Sequence, residues 1–255
     1  MISILGRWFL GFLQDAGGIF LFLIKAFLYS FVPPFRIRLI IKHIEFIGVK
    51  SVLIVSLTAL FSGMVTAYQV YHALAKFEGQ SVLGGVVALI LTRELGPVLT
   101  AIMVVARAGS AITAEIATMK ITEQIDALKV MAINPIQYII TPRLWAVIVA
   151  LPILTIIANF VGIAGGYIVA IFILGMDPGI MIAKTRDMLE FFDIIAGILK
   201  SVCFGILIIG ICTYKGFTTT GGAEGVGKST TQAVVISSVA ILIADYILTT
   251  FLFVE

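Results

Sequence analysis

Long stretches almost free of charge dominate the sequence. Residues 51–71 carry no charged side chain, 81–106 carry only Arg93 and Glu94, and 144–176 carry none over 33 residues. Residues 194–214 carry only Lys200, and 231–254 only Asp245. About 20 apolar residues suffice for a helix to cross the ~30 Å hydrocarbon layer. Lipid offers no partner to a backbone N–H or C=O, so runs of this kind must be helical. Composition points the same way. Of 255 residues 60% are hydrophobic and 12% charged, whereas a soluble domain is nearer ~25% charged. Mean hydropathy is +1.15. The expected fold class is all-α, a polytopic helical membrane protein with spans near 51–72, 82–106, 144–175, 194–214 and 231–253 in one domain. Little chain remains for a separate catalytic domain of roughly 100–200 residues. The third run would be roughly 50 Å long as one helix. It must tilt, kink near Pro152 or Gly162, Gly165 and Gly166, or project beyond the bilayer.

The placement of cations gives a topology. With the N-terminus in the cytoplasm, Arg7, Lys25, Arg36, Arg38, Lys42, Lys50, Arg107, Lys120, Lys129, Arg143, Lys215 and Lys228 fall inside. Only Lys76, Lys184 and Arg186 fall outside. Twelve against three is a strong positive-inside bias, and it directs the C-terminal Glu255 outward. No small-x-small site follows a compact apolar core, so residues 1–47 are read as mature chain rather than a signal peptide. They are rich in Trp, Phe, Leu and Ile up to Pro33-Pro34. A sixth span through 17–32 would place Lys25 at mid-bilayer, which is expensive. An interfacial elbow helix avoids that cost and is the preferred reading.

The loop between spans two and three reads as a short helix over about 121–133. Thr122 is positioned to cap it, with Glu123 in the first turn. Asn134-Pro135 stops it. Ile125, Leu128 and Ala132 share one face. Glu123 and Asp126 oppose docking on an anionic bilayer, which favours a protein partner.

The intramembrane charges are the strongest pointers to a site. Arg93 and Glu94 stand near the middle of span two, where a charge needs a cavity or a partner. Adjacent helical residues point about 100° apart, so the two do not simply pair with each other. Gly96-Pro97 follows and should break or kink the helix. Lys200 either snorkels outward or meets Glu94 or an anionic ligand in the bundle. Asp245 is available to either cation.

Other motifs carry less. Gly222-Ala-Glu-Gly-Val-Gly-Lys228-Ser229 fits the pattern of a phosphate-binding loop. It has a membrane span before it instead of a strand, so a glycine-rich cytoplasmic turn is the plainer reading. His43 and His72 are isolated, so no metal set is evident. Ser201, Ser237 and Ser238 have no base nearby. Cys203 and Cys212 stand about 13 Å apart along a helix, too far to bridge. No basic run suggests nucleic acid.

Three strings carry a resemblance: Arg93-Glu-Leu-Gly-Pro-Val-Leu-Thr100, then Thr118-Met-Lys-Ile-Thr-Glu-Gln-Ile-Asp-Ala-Leu128, then Gly221-Gly-Ala-Glu-Gly-Val-Gly-Lys228. From about residue 40 the chain resembles the MlaE (YrbE) permease family. The departure at Lys228-Ser229 makes the phosphate-loop match accidental. The resemblance implies the non-catalytic permease subunit of an ABC transporter in the inner membrane of a Gram-negative bacterium, moving phospholipids between inner and outer membranes. It implies a homodimer, two cytoplasmic ATPase subunits that bind the ATP, a periplasmic MCE-domain protein and often a STAS-domain protein, with no cofactor of its own. It makes Thr122, Glu123, Gln124, Asp126 and Leu128 part of a coupling helix. It places Arg93, Glu94, Leu95 and Pro97 at the lipid cavity, to which burial adds Lys200. Two other classes compete. A membrane-embedded P-loop ATPase lacks its soluble fold, and a passive anchor has no reason to bear mid-span charges.

Overall fold

A computed structural model describes residues 2–33 and 36–253, with the side chains of 14, 16–33 and 36–253. Arg7, Pro34 and Glu255, which figure in the topology reading, lie outside the described side chains. Among the described residues every element is helical. Five apolar runs are long enough to cross a bilayer: Ile37–Ala75, Gln80–Ile121, Ile136–Phe172, Phe191–Phe217 and Gly222–Leu252. The chain is a polytopic helical membrane protein, as the charge-free runs require.

The N-terminal segment is divided. Helix α1 (Ile2–Tyr29) ends before the proline pair, and α2 (Ile37–Ile47) begins after it. The structure joins α2 to α3 (Val52–Ala75) through one 3₁₀ turn, Val49–Ser51. Residues 37–47 therefore belong to the first rod, not to the expected 1–47 elbow. The reason is local: Gly48 N–H still bonds Ile44 O at 2.7 Å, so no backbone group is lost at the join. Helix α1 seats Phe22 edge-on to Tyr214 and Phe217, with ring centroids 5.9 and 5.3 Å apart. Thr141 Oγ1 donates to Ala26 O at 3.2 Å. Lys25 is exposed. These contacts fall at the end of one span and the start of another.

The second rod runs through α4 (Leu83–Ile90), a π-turn at Leu91–Leu95, α5 (Gly96–Val104), a π-turn at Val105–Gly109 and α6 (Ser110–Ile121). Gly96-Pro97 does not break it, because the π-turn absorbs the missing proline N–H. Helix α7 (Gln124–Val130) follows. A π-turn at Ile136–Ile140 then opens α8 (Thr141–Phe172), which is continuous through Pro152. The long third run is thus one unbroken helix. An unanticipated helix, α9 (Pro178–Met188), precedes α10 (Phe191–Phe217) and α11 (Gly222–Leu252). Its signal was legible: Asp177 caps it by accepting from Ile180 N–H at 2.9 Å, and Pro178 sits at the first position. The expected glycine-rich turn is shorter than 222–228. Gly221, at φ +91°, makes the reversal, and Gly222 onward is already α11. From Gly225 on, whose N–H bonds Gly221 O at 3.3 Å, the string is regular helix rather than a loop wrapped around an anion.

Helix α8 is the centre, packed by α2, α3, α5 and α10. Small residues let α3 and α8 touch backbone to backbone. A Cβ on Gly63 would sit 1.9 Å from Gly162 O, and one on Gly165 would sit 2.5 Å from Leu60 O. In lipid such close van der Waals packing replaces the hydrophobic effect between helices. Gly63→Leu should therefore lower the thermal unfolding midpoint in detergent by a margin worth about 1–3 kcal/mol. Gly17→Ala, in open space, should leave it unchanged.

Candidate functional site

The four intramembrane charges converge. Pro97 has no N–H, so the carbonyl one turn back, Arg93 O, loses its helical partner. Lys200 Nζ takes that place at 2.9 Å. The same ammonium donates to Glu94 Oε2 and to Thr249 Oγ1, both at 2.7 Å, and lies 3.0 Å from Asp245 Oδ1. Lys200 is fully buried. The snorkelling alternative is thereby overturned: the second rod and α11 supply four acceptors to hold the charge inside, where a lone ammonium would be prohibitive.

A second pair adjoins it. Arg93 Nε donates to Asp193 Oδ1 at 2.6 Å, and its guanidinium stacks over Phe253 at 4.5 Å. Asp193 is itself fixed, because its other oxygen accepts Glu190 N–H at 2.9 Å in a capping box at the start of α10. Arg93 and Glu94 therefore turn to different partners, as their 100° separation requires. Both side chains stay about one-third exposed, at 36% and 35%. Leu95 is half-buried and Pro97 buried. Close approach of α10 depends on Gly197, where a Cβ would stand 2.5 Å from Thr92 O on the π-turn.

The depth differs from the sequence expectation. Arg93 and Glu94 are mid-way along their own run, yet their partners Asp193 and Thr249 stand at one terminus of α10 and α11. The cluster lies toward the α9 end of the bundle. Sequence reasoning found Arg93, Glu94, Lys200 and Asp245 but missed Asp193, Thr249 and Phe253. Thr249 was findable, since it lies one helical turn after Asp245 on the same face.

The α7 region stands at the opposite end. Thr122 does not cap the helix: its hydroxyl donates back to Thr118 O at 2.8 Å. Glu123 occupies the cap position in a left-handed turn, φ +59°, without a side-chain cap bond. The helix spans Gln124–Val130, shorter than 121–133, and stops before Asn134-Pro135. Ile125 is buried, Leu128 packs against the core, and Gln124 is exposed. Val130 and Met131 are bare at 88% and 61% exposure. Asp126 is held by Lys129 at 2.7 Å and Lys120 at 3.1 Å. These bonds, Lys129's first, keep its carboxyl below the usual aspartate range. The clamp is present at neutral pH and is lost only as pH falls through that lowered value.

A family model described as permease MlaE matches residues 40–251. The chain belongs to the MlaE permease family. A probable ABC transporter permease protein of Rickettsia typhi is 41% identical over 98% of this chain and 97% of its own. The intermembrane phospholipid transport system permease protein MlaE of Haemophilus influenzae is 38% identical over 99% of this chain and 97% of its own. The chloroplastic protein trigalactosyldiacylglycerol 1 of Arabidopsis thaliana is 41% identical over 84% of this chain and 61% of its own. In this member of the MlaE permease family the Arg93 and Lys200 pairs tie the π-turn to α10 and α11.

If Lys200 is the tie, Lys200→Ala should strip a partner from two carboxylates and cost about 3–5 kcal/mol. Lys200→Met with Asp245→Asn removes both signs and should cost clearly less. Thermal unfolding of the purified chain in detergent reads the difference.

Proposed function

We propose that this chain is the membrane-spanning permease subunit of an ATP-driven transporter that moves phospholipids between membranes, working as a homodimer in the inner membrane of a Gram-negative bacterium. The full-length likeness to the Haemophilus protein supports the substrate class. The observation that carries the mechanism is a single helical rod, Gln80–Ile121, bearing the ion cluster near one end and α7 at the other.

The chemistry is non-covalent. The positive-inside bias assigns the α7 end to the cytoplasm and the α9 end to the periplasm. Helix α1 then lies along the cytoplasmic membrane surface as an elbow. Val130, Met131 and the acidic Glu123 form the handle for a cytoplasmic ATPase subunit. Closure of two ATPases on ATP pushes α7, and α6 and α5 carry the displacement to the π-turn at Leu91–Leu95. Interconversion of π and α hydrogen bonding shifts helix register at low cost, so such turns suit a moving part. Arg93 and Glu94 offer opposite charges side by side to a zwitterionic headgroup, while apolar walls take the acyl chains. The periplasmic end faces an MCE-domain protein, and a STAS-domain protein binds with the ATPases. ATP belongs to the partner subunits.

Two outcomes are expected. Val130→Asp with Glu123→Lys should reduce copurification of the ATPase at least fivefold in a pull-down. Arg93→Ala and Glu94→Ala should each keep the complex intact yet lower lipid transfer between labelled vesicles at least tenfold. Normal transfer by both would remove them from the pathway.

A further inference from the structure

A second charged recess lies at the α7 end, away from the ion cluster. It is a cavity of about 290 Å³ lined by Lys42, His43, Glu45, Phe46, Lys50 and Glu115. Lys42 and Lys50 line it, and a third cation, Arg107, adjoins it behind Phe46. Lys50 Nζ lies 6.0 Å from the centroid of the Phe46 ring, and the Arg107 guanidinium lies over the same ring at 5.0 Å. Arg107 is fixed by donating to Ser51 Oγ at 2.8 Å and to Phe46 O. Glu115 on the opposite wall is already neutralised by Arg143 at 2.8 Å. Among the described residues Lys42, Lys50 and Arg107 take part in no ion pair, and Glu45 is the sole unpaired carboxylate of the lining. The recess therefore has a surplus of positive charge around an aromatic floor.

Its surroundings identify the ligand. Ile37 and Ile41 share the exposed side of α2 with Lys42 and Glu45, and they are 64% and 61% exposed. Val49 and Leu53 flank Lys50 at 65% and 73% exposure. A basic recess bordered by bare aliphatic side chains, at the point where a rod leaves the apolar layer, matches the headgroup level of a bilayer. A soluble anion would have no use for the aliphatic border. Three unpaired cations suit a phosphate, and charge-assisted bonds to phosphate are the strong kind.

We infer that this recess binds the phosphate of a phospholipid headgroup, with Lys42 and Lys50 on its lining and Arg107 beside Phe46 as the cations, and with Val49 and Leu53, on the side of the apolar span, against the acyl chains. Assigning the lipid to the cytoplasmic leaflet rests on the orientation given under the proposed function, whereas binding itself does not. The site is separate from the Arg93–Glu94 cluster, so lipid held here is a resident of the leaflet beside the first rod.

Native mass spectrometry of the full chain in detergent tests it, with dioleoyl phosphatidylglycerol and inorganic phosphate as probes. The chain should retain phosphatidylglycerol, and Lys42→Glu with Lys50→Glu should reduce retention at least fivefold at unchanged helical content. Lys42→Ala with Lys50→Ala should give a smaller loss in the same direction, and Lys184→Glu on α9 none. Millimolar inorganic phosphate should compete weakly. Equal retention by the charge-reversed chain overturns the site. Phosphate binding as tightly as the lipid overturns the lipid assignment in favour of a soluble anion. Because the readout is made in detergent, failure here leaves the transport reading standing.

Discussion

A buried ammonium organises this molecule. Lys200 is fully enclosed in a bundle that is otherwise apolar, and an uncompensated charge there would cost several kcal/mol at least. Its compensation comes from three directions: the π-turn of the second rod, the hydroxyl of Thr249 and the carboxylate of Asp245 on α11. The proline at 97 is part of the same arrangement, since it frees the carbonyl that Lys200 uses. Gly197 is another part, since it brings α10 close enough. Removing the ammonium itself leaves Glu94 and Asp245 without the cation that both face.

That constraint links packing to function. The cluster ties the second rod to α10 and α11 by ion pairs, and it leaves Arg93 and Glu94 partly open. The same rod ends near α7, whose exposed Val130 and Met131 have no role within the chain. A rod that carries α7 at one end and the π-turn with its ion cluster toward the other has the form of the mechanical link that the proposed transport cycle needs. The two π-turns along it are the places where its register is able to change.

Much of this was legible in the sequence. The spans followed from charge-free runs, because lipid forbids unpaired backbone and makes charge expensive. The intramembrane residues 93, 94, 200 and 245 stood out for the same reason, and angular separation said that Arg93 and Glu94 would take different partners without saying which. Misjudged features were those governed by local hydrogen bonding. Thr122 looks like a cap but bonds backward to its own helix. Gly222–Lys228 looks like a loop yet runs as helix, since two positive-φ glycines, Gly221 and Gly222, are enough for the reversal. Helix α2 reads with the 1–47 elbow segment, whereas Gly48 lets it join α3. Asp193 was missed because it stands outside the charge-free run it serves.

The account stands or falls on whether the Lys200 cluster takes part in transport or only in packing. The direct measurement is phospholipid transfer, alongside ATP hydrolysis, by the reconstituted complex carrying Lys200→Met with Asp245→Asn. The account predicts intact assembly, continued hydrolysis that lipid no longer stimulates, and transfer reduced at least tenfold. Transfer within twofold of the unaltered complex would contradict it and reduce the cluster to a structural pair.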